Sequence, residues 1–153
     1  MGTRADFYVG AGKDAEWLGS IAYDGYFIDQ MVSADDVRDG SDRLGWAIKQ
    51  ATTADEFRAA VAALLASSDD GTTPDQGWPW PWETSDTTDY AYCFDAEKLR
   101  TFCFGAELLG QYDKDADERA EGPGIEFPNM KDRQSVTYVK RSGMLIFGFR
   151  PND

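Results

Sequence analysis

The run Trp78-Pro79-Trp80-Pro81-Trp82 constrains this chain more than any other stretch. Each proline removes a backbone donor, fixes its own φ and disfavours the helical region for the residue before it. The segment is therefore held extended, and its three indoles cannot form the core stripe of a helix. They must find cover elsewhere, and two readings stay open. In one, Thr72 to Asp89 is a long loop laid across the open face of a sheet, with its rings buried there. In the other, Trp78, Trp80 and Trp82 form a rigid aromatic platform that stacks a planar ligand such as a nucleotide.

The second constraint is charge. The chain has 153 residues, with 28 acidic and 15 basic side chains, a net charge of -13 and no histidine. Five Trp, seven Tyr and nine Phe supply too much apolar area for a disordered acidic tail, so the charge belongs on a folded surface. The missing imidazole removes the commonest general base and metal ligand. Ser–His and Cys–His catalysis are excluded with it. The acidic excess repels nucleic acid and anionic membranes and favours basic partners. The opening Met1 to Asp6 has no basic stretch followed by an apolar run, and nothing approaches the ~20 apolar residues of a membrane span. The expected location is the cytoplasm, with no membrane association.

Local patterns sketch the fold. Phe7-Tyr8-Val9 favours a strand, and Gly10 to Asp14 is a turn cluster. Trp17, Gly19, Ile21 and Tyr23 then alternate onto one face of a second strand. Ser33 reads as the N-cap of a helix reaching about Ala51, with Val37, Leu44 and Ile48 on one face and a weak point at Gly40. Thr53-Ala54-Asp55-Glu56 is a capping box, followed by an apolar stripe at Phe57, Val61, Leu64 and Leu65. Tyr90, Tyr92 and Phe94 share a strand face, and Leu99 to Phe104 returns beside it with Phe102 and Phe104 on one face. A turn centred on Lys98 would set Cys93 opposite Cys103. Two buried thiols are expected there rather than a disulfide. Ser135 to Lys140 and Met144 to Phe149 flank a hairpin turn. Strands at both ends with helices between them predict an α+β fold. The expectation is a single domain over residues 1–153, an antiparallel sheet with about two helices packed on one face.

No motif supplies chemistry. Gly10-Ala11-Gly12-Lys13 lacks the spacing and context of a phosphate loop and reads as a hairpin turn. Asp113, Asp115 and Asp117 begin like a calcium loop, but the pattern fails at Glu118 and Gly124. Among 28 acids, chance carboxylate pairs are numerous, so none points to hydrolysis. Neither a metal nor a cofactor is expected. Carboxylates do gather in three groups: Asp35, Asp36, Asp39 and Asp42; Asp69, Asp70 and Asp75; and Asp113, Asp115, Asp117, Glu118 and Glu121. Charge runs are usually solvating surface. They are also the means by which a protein could imitate phosphates and occupy a basic groove.

The opening Gly2-Thr3-Arg4-Ala5-Asp6-Phe7-Tyr8-Val9-Gly10, the stretch Ala15 to Tyr26, and Gly77 to Trp82 with Thr88 to Tyr92 resemble a family of short uncharacterised proteins from phages, prophages and their bacterial hosts. That family usually has a basic residue between the first two glycines of the turn, where this chain has Ala11. The resemblance implies a mobile-element context, in which small acidic proteins often inhibit host defence, including CRISPR systems. The expected partner is a basic surface of a host protein complex, with no direct nucleic-acid contact. The alternative is a nucleotide-binding or sequestering module.

Overall fold

A computed structural model describes residues 2–109 and 124–131, together with the backbone of Thr137–Arg141 and Met144–Gly148. The first strand, β1 (Ala5–Val9), pairs antiparallel with β2 (Glu16–Ile21) through the Gly10–Asp14 turn. Three helices follow: the single turn α1 (Phe27–Gln30), then α2 (Gly40–Gln50) and α3 (Ala54–Ser67). A two-residue strand β3 (Gly71–Thr72) pairs with β2. After a long coil come β4 (Tyr90–Asp95), β5 (Lys98–Cys103) and β6 (Ala106–Glu107). These strands form one sheet in the order β3-β2-β1-β4-β5-β6. The hairpin β7 (Thr137–Arg141) and β8 (Met144–Gly148) forms its own two-stranded ladder.

The fold is α+β with helices packed on the sheet, but the sheet is mixed rather than wholly antiparallel. β1 and β4 run parallel at its centre, with Phe7 beside Tyr92. Parallel neighbours need a long crossover, and the helical segment between β2 and β4 provides it. Helix α3 begins as the sequence predicts. Thr53 Oγ1 accepts from the Glu56 N–H at 3.1 Å, and the Glu56 carboxylate reaches back to the Thr52 N–H at 2.8 Å. Its stripe of Phe57, Val61, Leu64 and Leu65 is buried against Ala5, Phe7, Ile21, Tyr92 and Phe94 of the sheet.

Four further expectations need correction. The helix expected from Ser33 is broken. Ser33 starts only a short 3-10 turn, Ala34–Asp36, and α2 begins anew behind Asp39, whose side chain accepts from the Asp42 N–H at 3.2 Å. A fresh cap at Asp39 satisfies the first turn of α2, so nothing requires the helix to extend back through Val37. Next, Trp17 does not share a face with Ile21. Tyr8 pairs with Trp17 while Phe7 pairs with Gly19, so Leu18 is an extra residue. That bulge reverses the alternation: Ile21 joins the helix-side core and Trp17 the opposite one. Finally, Cys93 lies opposite Arg100, and Cys103 opposite Tyr90. The β4–β5 turn is only Ala96-Glu97, both at positive φ, which shifts the register from the expected one. Neither cysteine is in a disulfide; Cys93 is buried as expected, but Cys103 is only half-buried. Phe104 also leaves the strand: it sits at positive φ in the next turn and is exposed.

Candidate functional site

The sheet face opposite the helices carries an unexpected centre. Asp6 lies in mid-β1 between Ala5 and Phe7, and its carboxylate is fully buried. Oδ1 accepts from Ser20 Oγ at 2.5 Å and from the Trp80 indole N–H at 2.6 Å; Oδ2 accepts from Ser85 Oγ at 2.6 Å. A second tier orients the first. The Trp17 indole N–H donates to Ser20 Oγ at 3.1 Å, and the Tyr8 hydroxyl lies 2.6 Å from Ser85 Oγ. Because the Ser85 proton is committed to Asp6, Tyr8 is the donor in that pair. Every donor thus points inward to one carboxylate, and no cation pairs with it among the described residues. Burial raises the Asp6 pKa, against the lowering effect of its hydroxyl and indole donors. The Tyr8 phenol is pushed well up by its own burial and the Asp6 charge.

The Trp-Pro segment closes this centre. Trp78 is buried edge-on to Trp17, with ring centroids 5.1 Å apart, and donates to the Trp82 carbonyl at 2.6 Å. Trp82 donates to Thr88 Oγ1 at 2.8 Å. Trp80 and Trp82 stack at 5.6 Å, half-buried, and the Arg4 guanidinium lies over both rings at 5.7 and 5.4 Å. Arg4 is held by Asp89, 3.7 Å away. All three indole donors are therefore committed within the chain, and a cation already covers the outer rings. Residues 124–131 complete the layer: Phe127 packs on Tyr8 and Phe102, and the Met130 N–H donates to the Glu83 carbonyl at 2.7 Å.

The acidic residues have two kinds of role. Asp36 accepts from the Val32 and Ser33 N–H groups, which lowers its pKa, and Asp42 accepts from the Arg38 N–H. Asp70 accepts from the N–H groups of Ala22 and Tyr23, tying the end of α3 to the end of β2. Asp35 and Asp69 are exposed without such a bond. None of Asp35, Asp36, Asp39, Asp42, Asp69 or Asp70 is in an ion pair among the described residues. Asp113, Asp115, Asp117 and Glu118 lie outside the described residues. No metal-holding cluster occurs among the described residues, and no described helix is long and apolar enough to cross a membrane.

A cleft of about 490 Å³ opens between the α1–α2 side and the outer edge of β5. Trp46, Lys49, Lys98 and Arg100 line it, with Val32 and Leu109. Arg100 is pinned by both Glu107 oxygens and by Asp95, at 2.8 to 2.9 Å. Its guanidinium holds the Glu107 carboxyl below the usual range. Lys49 donates to the carbonyls of Asp29 and Met31, where α1 ends.

Sequence reasoning missed Asp6, although a signal existed. An acid inside the run Ala5-Asp6-Phe7-Tyr8 must be buried if both faces of β1 are covered. Trp46 carried no signal beyond its residue type. In comparisons with known proteins, no family model, no curated protein and no solved structure matches this chain.

Proposed function

We propose that this chain is a stoichiometric, non-enzymatic binding protein that presents uncompensated carboxylates to a basic surface of a host nucleic-acid-handling complex, in the manner of an anti-CRISPR inhibitor. The supporting observation is that Asp35, Asp36, Asp39, Asp42, Asp69 and Asp70 all stand outside ion pairs among the described residues, in a chain of net charge -13. Where carboxylates are not neutralised internally, their field reaches solvent and steers cationic partners. The proposed setting is the bacterial cytoplasm of a phage-infected or prophage-bearing cell. The buried Asp6 centre has no open face for a substrate and belongs to the scaffold in this reading.

The test is inhibition of DNA binding by a panel of CRISPR effector–guide complexes. The chain should reduce target binding near one-to-one stoichiometry, and the effect should fade as salt shortens the Debye length from ~10 Å at 0.1 M towards ~3 Å at 1 M. Replacing Asp35, Asp39, Asp42 and Asp69 by Asn should weaken the inhibition while leaving Asx caps in place. No inhibition at tenfold excess, together with no nucleic-acid-binding protein recovered from a bacterial lysate at low salt, would defeat the proposal.

A further inference from the structure

We infer that the cleft between α2 and the β5 edge binds a small planar anion, an aromatic ring carrying a carboxylate or phosphate. The inference stands apart from the acidic surface and would survive its failure. Four of the five indoles spend their N–H inside the chain: Trp17 on Ser20, Trp78 on Trp82, Trp80 on Asp6 and Trp82 on Thr88. Trp46 is the fifth. It lines the cleft half-buried, and its N–H has no partner among the described residues. Among the described residues no buried side-chain donor is left unsatisfied, so this N–H is open to solvent.

The surroundings fit such a ligand. Four large apolar side chains are exposed among the described residues, and two of them, Val32 and Leu109, line this cleft. Lys98 also lines it, exposed and outside any ion pair among the described residues. Arg100 and Lys49 are fixed by their own partners, so the floor is rigid rather than adaptable. The β5 edge is open on this side. β6 covers only Phe102 and Cys103 of it, and the Leu108 N–H reaches the Thr101 carbonyl at 2.8 Å. Beyond that point, Lys98 to Arg100 have no outer strand neighbour among the described residues. Open donors beside apolar surface select a ligand with a flat body and an acceptor-rich anionic group. The cleft volume falls within the ~300–1,000 Å³ usual for small-molecule sites. The ring rests on Trp46, Val32 and Leu109; the anion takes the Lys98 ammonium and the Trp46 N–H.

The experiment is isothermal titration of the full chain with four probes: indole-3-acetate, adenosine 5′-monophosphate, adenosine and inorganic phosphate. The first two carry ring and anion, and their comparison separates carboxylate from phosphate sources. At least one of them should bind at least about tenfold more tightly than adenosine or phosphate, a gap of one decade in Kd. Lys98→Glu, on an exposed side chain, should weaken that binding about tenfold or more. Trp46→Leu should do the same, and Trp46→Phe, which keeps a ring but no N–H, should fall between. An unchanged circular dichroism spectrum checks each variant's fold. Absence of binding by both aromatic anions at about 1 mM, or binding indifferent to Lys98→Glu and Trp46→Phe, overturns the assignment.

Discussion

Replacing Asp6 tests the sheet face opposite the helices most directly. In Asp6→Ala, Ser20 Oγ, Ser85 Oγ and the Trp80 N–H lose their common acceptor. An orphaned buried donor costs ~1–3 kcal/mol, so three give a ceiling near ~9 kcal/mol; relief of carboxylate desolvation and partial reorganisation reduce this to an expected ~3–5 kcal/mol. Against a typical domain stability of ~5–15 kcal/mol that loss is severe. Asp6→Asn should cost less. Its carbonyl can still serve Ser20 and Trp80, but its amide meets Ser85, which must turn its own proton away, so that one hydroxyl proton of the Ser85–Tyr8 pair is left without an acceptor. The pH dependence then isolates the charge. Burial raises the folded pKa of Asp6 above its unfolded value. Its contribution to stability is therefore fully present below the unfolded value of ~3.9 and is lost as pH rises through the folded pKa. The wild type should gain on Asp6→Asn as pH falls from 7 towards 4. Urea unfolding followed by tryptophan fluorescence gives both quantities. A wild-type minus Asp6→Asn difference that stays flat over that range, or an Asp6→Ala cost below ~1 kcal/mol, would refute the argument.

Other outcomes follow from single contacts. Gly19 sits at φ +138°, and a Cβ there would meet Leu65 Cδ1 at 2.4 Å and the Thr72 carbonyl at 2.6 Å. Gly19→Ala should cost ~2–3 kcal/mol, or ~4–12 °C in Tm by calorimetry for a chain of this size. Asp70→Ala should cost ~1 kcal/mol in urea unfolding because it frees the Ala22 and Tyr23 N–H groups, whereas the exposed Asp69→Ala should change stability by less than ~0.5 kcal/mol. Thr53→Ala removes the α3 cap and should lower stability by ~1 kcal/mol in the same assay. Asp36, Glu56 and Glu107 have lowered pKa values, so their contributions hold above the unfolded carboxylate range and fade as pH falls through their folded values. Replacing Glu107 by Gln should therefore flatten part of the acid limb of a Tm-versus-pH curve.

Local signals gave the parts of this fold that rest on local physics. The α3 cap and stripe, the β1–β2 turn and the β7–β8 pairing are all written within a few neighbouring residues. The non-local parts were hidden. The parallel neighbour of β1 lies 85 residues away at Tyr90, beside Ala5, and no periodicity encodes that meeting. The Leu18 bulge was invisible because Trp17, Gly19 and Ile21 satisfy a period of two on paper. The register of β4 and β5 turned on a two-residue turn at Ala96-Glu97, which carries neither Gly nor Asn. The site divides in the same way. Pro spacing placed Trp78, Trp80 and Trp82 in an extended segment, but the acceptors for their N–H groups come from their own loop and from Asp6. Trp46 and Lys98 line one cleft only because the tertiary fold brings α2 near the β5 edge.

The Leu18 bulge carries a consequence for how β2 tolerates change. On its Ile21 side the strand answers to Leu65 and the helices; on its Trp17 side it answers to Trp78 and the proline-bound segment. One inserted residue is the phase shifter between two otherwise separate packing problems. Deleting Leu18 would leave both faces as they are, whereas pairing it into the ladder in place of the bulge would turn Trp17 towards α3 and Glu16 towards the aromatic layer. Two well-formed halves of the molecule would then disagree about which way a single strand should face.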